Sequence, residues 1–289
     1  MSTLLSFGHG YCARTLAPHL LARGWTVIGT TRSQEKAEAL RAEGVEPLIF
    51  GAPVGEALAR ASHVLVSTGP DEGGDPVLRE YAGPLEAALG GMAWVGYLST
   101  TGVYGDHAGG WVDEGTATIP STRRGAWRVA AEGDWQALAA RTGAALHIFR
   151  LAGIYGPGRG PFEKVRDGTA RRIVKPGQVF SRIHVDDIAR VLLASIARPR
   201  AGAVYNVCDD DPAPPEDVIA HAAHLLGLPL PPEVAFADAE MSPMARSFYA
   251  ESKRVRNDRI KAELGVALAF PDYRAGLADL LAREARTAT

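Results

Sequence analysis

The chain of 289 residues contains only two cysteines, Cys12 and Cys208. They lie far apart, and neither belongs to a Cys-x-x-Cys pair or a Cys/His cluster, the spacing that disulfide-rich domains and structural zinc sites need. We therefore expect neither a disulfide framework nor a bound metal. Both thiols are interpreted as small core residues.

Long apolar runs are also missing. No window approaches the roughly 18 consecutive apolar residues that a membrane span needs. The segment after Met1 has no basic leader, no long apolar stretch and no small-residue cleavage site, so a signal peptide is not expected. We predict a cytoplasmic protein that does not associate with membranes.

Neither sign of charge is in excess. The chain has 31 Lys and Arg against 33 Asp and Glu, a net charge of −2, and no run of basic residues long enough to form a nucleic-acid-binding tail. Its content of 46% apolar and 22% charged residues is that of an ordinary globular protein with a large core. A nucleic-acid partner is therefore not expected.

What the chain does contain is an alternation of short apolar runs with helical patterns. Strands are predicted at Thr3–Phe7, Trp25–Thr30, Glu46–Phe50, His63–Ser67, Ala93–Leu98, Ala145–Leu151 and Ala203–Val207. Helices are predicted at Ala13–Ala22, Ser33–Ala42, Glu56–Ala61, Val77–Leu89, Trp127–Arg141 and Val185–Ala197. This alternation indicates βαβ units and a parallel sheet with right-handed crossovers.

The loop after the first predicted strand is rich in glycine and reads G-H-G-Y-C-A over residues 8–13, a G-x-G-x-x-A pattern. Its position between a strand and a helix is the context that dinucleotide binding requires. Gly8 permits the tight turn, Gly10 lets the backbone approach a pyrophosphate, and Ala13 allows close packing of helix and strand. The helix N-terminus supplies free N–H groups. The residues expected to bind the cofactor here are Gly8, Gly10, Tyr11, Ala13 and Thr68.

The end of the second predicted strand lacks an acidic residue. NAD sites usually have an Asp or Glu there, which holds the ribose 2′-hydroxyl. This chain continues with Thr31, Arg32 and Ser33, and Lys36 is nearby. A guanidinium at this place suits a 2′-phosphate, so these three residues are predicted to bind it, and NADP(H) is favoured over NAD(H). The alternative is that Arg32 is a solvated residue at the start of a surface helix.

The regular alternation of predicted strands and helices ends after residue 151. A loop is predicted at Gly156–Pro161, and an amphipathic helix is predicted near Tyr273–Glu284. We predict an α/β fold, a Rossmann-type doubly wound parallel sheet with a small, mainly helical C-terminal substrate lobe over its carboxyl edge. The expected division is residues 1–156 and 177–208 for the dinucleotide-binding domain, and 157–176 and 209–289 for the lobe.

Four further motifs follow the predicted elements: L-S-T-T-G-V-Y-G at residues 98–105, R-L-A-G-I-Y-G-P-G at 150–158, H-V-D-D-I-A at 184–189 and V-Y-N-V at 204–207. With the glycine turn they resemble the extended short-chain dehydrogenase/reductase family, the NAD(P)-dependent epimerase/dehydratases of nucleotide sugars. The resemblance runs over nearly the whole chain. It implies a nicotinamide cofactor and a small-molecule substrate, of which a nucleotide sugar is one candidate.

The family's catalytic Tyr-x-x-x-Lys is missing. In the family the phenol exchanges a proton with a substrate hydroxyl, and the lysine holds the nicotinamide ribose and lowers the tyrosine pKa. Thr100 matches the family's catalytic hydroxyl, but Arg124 and Arg128 occupy the Tyr and Lys positions. A guanidinium cannot exchange a proton at neutral pH, although Arg128 can still hold ribose hydroxyls. The chain thus resembles atypical members that keep the cofactor domain and have a degraded active site.

Tyr104, in the motif after the fifth predicted strand, is the first candidate for a replacement acid/base. The other interpretation is that it packs against or positions a substrate. Thr101 and Gly102 occupy the places where the family's dehydratases have Asp-Glu, which disfavours dehydration. The basic stretch at residues 159–175 is either an anion-binding segment or a solvated helix face.

Two functions remain open from the sequence. The first is an NADP(H)-dependent reductase or epimerase acting on a nucleotide sugar or another small hydroxyl/carbonyl substrate, favoured by the glycine turn and Thr100. The second is a catalytically inactive NADP(H)-binding sensor or scaffold, favoured by Arg124 and Arg128. Homodimers are common in the family, but no feature of this sequence indicates one.

Overall fold

A computed structural model describes residues 2–287. Its main sheet has seven parallel strands within that range. They are β1 (Thr3–Phe7), β2 (Thr26–Thr31), β3 (Glu46–Ile49), β4 (His63–Val66), β5 (Trp94–Thr100), β6 (Leu146–Leu151) and β7 (Val204–Val207). Three further sheets have two short parallel strands each: Trp111–Val112 with Arg254–Val255, Gly153–Tyr155 with Arg182–His184, and Arg172–Val174 with Glu233–Ala235.

The helices of the described range alternate with the strands and then follow them. The first seven are α1 (Tyr11–Leu21), α2 (Gln34–Ala42), α3 (Gly55–Arg60), α4 (Pro76–Ala88), α5 (Arg123–Thr142), α6 (Phe162–Arg166) and α7 (Val185–Ala197). The remaining four are α8 (Pro215–Leu225), α9 (Pro243–Phe248), α10 (Asp258–Leu264) and α11 (Tyr273–Thr287). The predicted strands and helices are confirmed. The largest shift is at α5, which begins four residues early because Thr122 caps it by accepting a 3.1 Å hydrogen bond from the Gly125 N–H.

The strands lie in the order β7-β6-β5-β4-β1-β2-β3, so the direction of chain progression reverses between β1 and β4. This is the order of a doubly wound Rossmann sheet, whose ligands bind at the carboxyl ends beside the reversal. The predicted fold class is therefore confirmed. The loop after β1 carries the glycine turn and the loop after β4 carries Thr68, so both lie at this point.

Both faces of the sheet are covered, because successive residues of a strand point to opposite sides. Leu4 belongs to the hydrophobic cluster that includes Leu16 of α1, whereas Leu5 belongs to the cluster that includes Trp135 of α5. A third cluster includes Phe162 of α6 and Leu277 of α11. Apart from Tyr155, its buried residues come from the segments expected to form the lobe.

The lobe boundaries themselves stay a prediction, and their ends at residue 1 and residues 288 and 289 lie outside the described residues. Cys12 and Cys208 are buried and unpaired. No helix among residues 2–287 is long and apolar enough to span a bilayer. The same residues include no group of three or more His, Cys, Asp or Glu placed to hold a metal ion.

Candidate active site

The glycine turn leaves the N-terminus of α1 open. Gly8 has a φ of 73°, which favours glycine. Gly10 is the N-cap of α1, and no side chain caps the helix. A Cβ built at Gly10 would meet only the Gly8 carbonyl oxygen among the described residues, at 3.7 Å. The unpaired N–H groups of the first helical turn therefore face open space, the arrangement that binds a phosphate.

The turn is fixed from both neighbouring strands. The Gly8 N–H donates to Thr30 Oγ1 at 2.7 Å, and the Ser67 hydroxyl donates to the Gly8 carbonyl. Thr68 packs so closely that a Cβ at Gly8 would lie 2.7 Å from its Cγ2. The Thr68 hydroxyl is buried without a hydrogen-bond partner among the described residues. A fixed turn, an open helix end and an orphaned hydroxyl beside it fit a dinucleotide.

Arg32 follows the last residue of β2 and directly precedes the cap of α2. Its side chain is exposed, and none of the hydrogen bonds or ion pairs of the described residues involves its guanidinium. Ser33 caps α2 by accepting from the Lys36 N–H at 3.4 Å, and Thr31 is buried. The neighbours of Arg32 are thus engaged in the fold, while the guanidinium of Arg32 has no partner among the described residues.

The side chain of Tyr11 turns away from the glycine turn, whereas Ala13 is fully buried against the sheet as the close packing requires. The Tyr11 hydroxyl donates to the Pro157 carbonyl at 2.9 Å, and the Arg159 guanidinium lies 4.6 Å from the centre of its ring. Burial raises the pKa of Tyr11 to about 12. The expected contact of Tyr11 with a cofactor is therefore confined to its backbone N–H.

A cavity of about 1380 Å³ lies at the carboxyl edge of the sheet, and Thr100, Arg124 and Arg128 all line it. Thr100 Oγ1 accepts a 3.1 Å hydrogen bond from the Gly102 N–H, which leaves the hydroxyl proton free to donate into the cavity. The structure thus brings together three of the four residues predicted for the catalytic site.

Arg128 is held in one orientation. Its Nη1 donates to the Tyr97 hydroxyl at 3.0 Å and to the Leu98 carbonyl at 2.7 Å. Its Nη2 lies 3.6 Å from a Cβ built at Gly69, in the loop after β4. The remaining N–H donors therefore lie on the side of the cavity nearest the reversal point of the sheet.

Arg124 differs from Arg128 in having no fixed partner. It lies in the first turn of α5, its side chain is exposed, and it makes no ion pair or hydrogen bond within the described part of the chain. Arg124 therefore places a guanidinium on a flexible aliphatic side chain where the family has its catalytic tyrosine, and this side chain lines the cavity.

The structure corrects the candidate role of Tyr104 as a replacement acid/base. Tyr104 is 1% exposed and does not line the cavity. Its hydroxyl donates to Asn206 Oδ1 at 2.7 Å and accepts from Arg150 Nη1 at 3.0 Å. Burial raises the pKa of Tyr104. A phenol enclosed in this way is bonded within the fold, away from the cavity that Thr100, Arg124 and Arg128 line.

Sequence reasoning missed four charged residues of the cavity wall, Arg123, Arg182, Lys253 and Glu251, of which the last two lie in one segment. Lys253 Nζ donates to the Gly105 carbonyl at 2.8 Å and to Glu251 Oε2 at 2.6 Å. The other carboxylate oxygen of Glu251 accepts from the Ser121 hydroxyl at 2.7 Å. The segment that carries both residues shows no motif and no periodicity, so no signal in the sequence could have identified them.

The basic stretch at residues 159–175 contributes one residue to the cavity, Arg159. Elsewhere in the stretch, Arg166 pairs with Glu284 and Arg172 pairs with Glu233. Beyond it, Arg182 also lines the cavity, and its Nη1 donates to the Phe180 and Ala213 carbonyls at 2.9 Å each. Apart from Arg159, the stretch lies outside the cavity wall, and its two interpretations both stay predictions.

No family model matches the chain. Protein YeeZ of Escherichia coli strain K12 is 31% identical over 290 aligned residues, which cover 94% of this chain and 97% of that protein. A solved structure of a functionally unknown conserved protein from Silicibacter pomeroyi is 60% identical. It superposes with a TM-score of 0.93 over 98% of this chain and 99% of that one.

A more distant structure shares the fold. UDP-glucuronic acid 4-epimerase from Bacillus cereus, solved in complex with NAD, is 15% identical and superposes with a TM-score of 0.76, over 97% of this chain and 99% of that one. The strand order, the glycine turn at the reversal point and these relatives agree with the motifs of the sequence. The chain belongs to the extended short-chain dehydrogenase/reductase family of NAD-dependent epimerases and dehydratases, as an atypical member.

Proposed function

We propose that the protein binds NADP(H) and reduces a small carbonyl substrate in the cavity beside Thr100. One observation supports this most directly: Arg32 lies unpaired after β2, where an NAD site has a carboxylate. An exposed guanidinium beside the N-terminus of α2 attracts the 2′-phosphate that distinguishes NADP(H) from NAD(H). The fold neighbour from Bacillus cereus holds NAD, which agrees with a nicotinamide dinucleotide in this chain.

The residues that would hold the cofactor come from the loops after β1, β2 and β4 and from α5. Gly8 and Gly10 would cradle the pyrophosphate, Thr68 would offer it a hydroxyl, and Arg128 would hold the nicotinamide ribose in place of the family's lysine. When bound, NADP(H) supplies the hydride. Arg128 suits the ribose because that task needs hydrogen-bond donors and no exchange of a proton.

Thr100 and Arg124 favour reduction over oxidation or epimerisation. A carbonyl oxygen gains negative charge as it is reduced, and a hydroxyl and a guanidinium aimed at it stabilise that charge. Removal of a hydroxyl proton, with which oxidation and epimerisation begin, needs a base, and neither arginine can accept a proton. Since Arg124 is exposed, solvent can supply the proton that completes the alcohol.

We also propose a division of labour along the chain. Residues 1–156 and 177–208 would carry the cofactor site, and residues 157–176 and 209–289 would carry the substrate side of the cavity. Glu251 and Lys253 support this division, because both reach the cavity from the second set of segments.

A sensor that binds NADP(H) without chemistry is the second candidate. It is favoured by Arg124, since this residue replaces the proton-exchanging tyrosine, and by the enclosure of Tyr104. The two candidates differ in whether hydride ever leaves the nicotinamide.

Deuterium transfer separates them. NADPH with deuterium at the transferable position is incubated with the protein and a panel of carbonyl compounds, and products are analysed by mass spectrometry. The reductase predicts deuterium in one product and a loss of at least about tenfold in Thr100→Val and Arg124→Gln, since removing a charge-assisted hydrogen bond costs about 1.5–3 kcal/mol. Arg41→Gln, an exposed arginine outside the cavity, is the matched control. Tight NADPH binding with no transfer to any carbonyl would identify a sensor.

A further inference from the structure

The wall of the large cavity is rich in hydrogen-bond donors and poor in acceptors. Its cationic side chains are Arg123, Arg124, Arg128, Arg159, Arg182 and Lys253. Among the described residues that line it, Glu251 is the only carboxylate, and no Asp, Asn, Gln or His is present. A ligand that presents acceptors and negative charge matches this wall.

Several of the few side-chain acceptors on the wall are already engaged. Both carboxylate oxygens of Glu251 accept hydrogen bonds, one from Ser121 and one from Lys253. Thr122 Oγ1 accepts from the Gly125 N–H, and Ser181 Oγ accepts from the Val255 N–H at 3.0 Å. Sugar hydroxyls donate as well as accept and need acceptors in their site, whereas a carboxylate or a ketone only accepts. The wall therefore matches a polyhydroxylated ligand less well than a ligand that only accepts hydrogen bonds.

One side of the cavity is apolar and faces solvent. Met244 and Phe248 of α9 line it and are 55% and 61% exposed. Phe180 and Tyr249 also line it, with their rings edge to face at 5.6 Å. No residue of α9 is buried. Apolar side chains held at a cavity mouth without a core of their own gain most from a ligand that covers them.

We propose that the cavity binds an aromatic carboxylate bearing the reducible carbonyl, such as an aromatic 2-oxo acid, in preference to a nucleotide sugar. The ring lies against Met244 and Phe248, and the carboxylate pairs with Arg124. Arg124 is the partner because Lys253 and Arg182 are tied to protein acceptors and Arg128 is held at the cofactor end. Arg123 pairs with Glu72, and the Arg159 guanidinium lies over the Tyr11 ring. Binding of this class does not need the cofactor, but its reduction rests on the proposed function.

The test is calorimetric binding of two probes, phenylpyruvate and UDP-glucose, with and without saturating NADP⁺. Phenylpyruvate is expected to bind at least tenfold more tightly than UDP-glucose. Phe248→Ala and Arg124→Gln are each expected to lower the affinity for phenylpyruvate at least tenfold. Leu230→Ala and Arg41→Gln are the matched controls, because Leu230 is 59% exposed and both residues lie outside the cavity wall.

NADP⁺ binding is measured separately in every variant, which also shows that each is folded. Tighter binding of UDP-glucose, or no binding of phenylpyruvate at millimolar concentration, would overturn the assignment even where NADP⁺ binds normally. Binding of phenylpyruvate that responds to the two cavity variants, in a protein that fails to bind NADP⁺, would support the ligand class and reject the proposed function.

Discussion

The phenol of Tyr104 donates a 2.7 Å hydrogen bond to Asn206, a residue 102 positions further along the chain. The same oxygen accepts from Arg150, whose guanidinium pairs with Glu132 at 2.7 Å, and the Ser99 hydroxyl donates to that carboxylate. Each of these side chains is less than a tenth exposed. Residues from three of the family-like motifs, together with Glu132 of α5, thus form one buried polar network that ties β5, β6, β7 and α5 together, apart from the cavity.

Tyr104→Phe tests whether this network is structural. The substitution leaves Arg150 and Asn206 each short of one partner, so we expect the free energy of unfolding to fall by about 1–3 kcal/mol. NADPH binding should not change. Urea denaturation and calorimetry measure the two quantities. Tyr249→Phe is the matched control, since no hydrogen bond among the described residues uses that hydroxyl. Unchanged stability together with lost turnover would restore Tyr104 as a catalytic candidate.

Glu132→Gln removes the charge that compensates Arg150. A buried guanidinium left without its carboxylate destabilises a fold by about 3–5 kcal/mol. Glu86→Gln breaks the Arg141 pair, in which both side chains are more than half exposed, and should cost less than about 1 kcal/mol. Denaturant unfolding of both variants gives the comparison. Equal losses in the free energy of unfolding would mean that the buried ion pair contributes no more to stability than the surface ion pair.

Asp209 predicts a pH dependence of stability. It is 1% exposed, and burial raises its pKa to about 8, with the nearby charge of Arg182 opposing the shift. The folded chain therefore binds more protons at Asp209 than the unfolded chain between pH about 4 and 8, so its contribution to the free energy of unfolding falls as pH rises through that window.

Asp209→Asn cannot ionise and should lose this part of the pH dependence. Relative to the parent protein, the variant is expected to gain stability steadily from pH 5 to pH 8. Urea unfolding at several pH values measures the difference. Parallel curves for the two proteins would show that Asp209 keeps an ordinary pKa in the fold.

Arg128→Met tests the ribose contact. Because the ribose is common to both cofactors, the variant should bind NADPH and NADH about tenfold more weakly, a loss of about 1.4 kcal/mol of binding free energy for each. Calorimetric titration measures both. Arg124→Gln, on the same helix and lining the same cavity, should leave cofactor binding unchanged. A variant that weakened only NADPH would place Arg128 at the 2′-phosphate instead.

The fold and the cofactor end of the site could be predicted because their signals are local. The glycine turn lies within six residues between a strand and a helix, and Arg32 follows the next strand directly. Even here the side-chain direction of Tyr11 was not predictable, since it depends on Pro157 in another loop.

The chemical end of the site depends on contacts that no local pattern reveals. The burial of Tyr104 requires Arg150 and Asn206, which are 46 and 102 residues away. Lys253 is held at the cavity wall by a hydrogen bond to the carbonyl of Gly105, 148 residues earlier. Such positions are set by the packing of distant segments. The motif at residues 98–105 therefore suggested a catalytic role for Tyr104, and no local pattern indicated that Lys253 lines the cavity.

Arg32 is proposed to make this an NADP(H) site, and calorimetric titration of NADPH and NADH into the parent protein and Arg32→Ala measures its contribution. The parent protein should bind NADPH more tightly than NADH. The variant should lose about 10- to 100-fold in NADPH affinity, since a charge-assisted contact to phosphate is removed, and none in NADH affinity. Arg41→Ala at the far end of α2 is the control. Equal NADPH affinity in the parent and Arg32→Ala would show that Arg32 does not bind a 2′-phosphate, and no binding of either nucleotide would show that the glycine turn does not form a dinucleotide site.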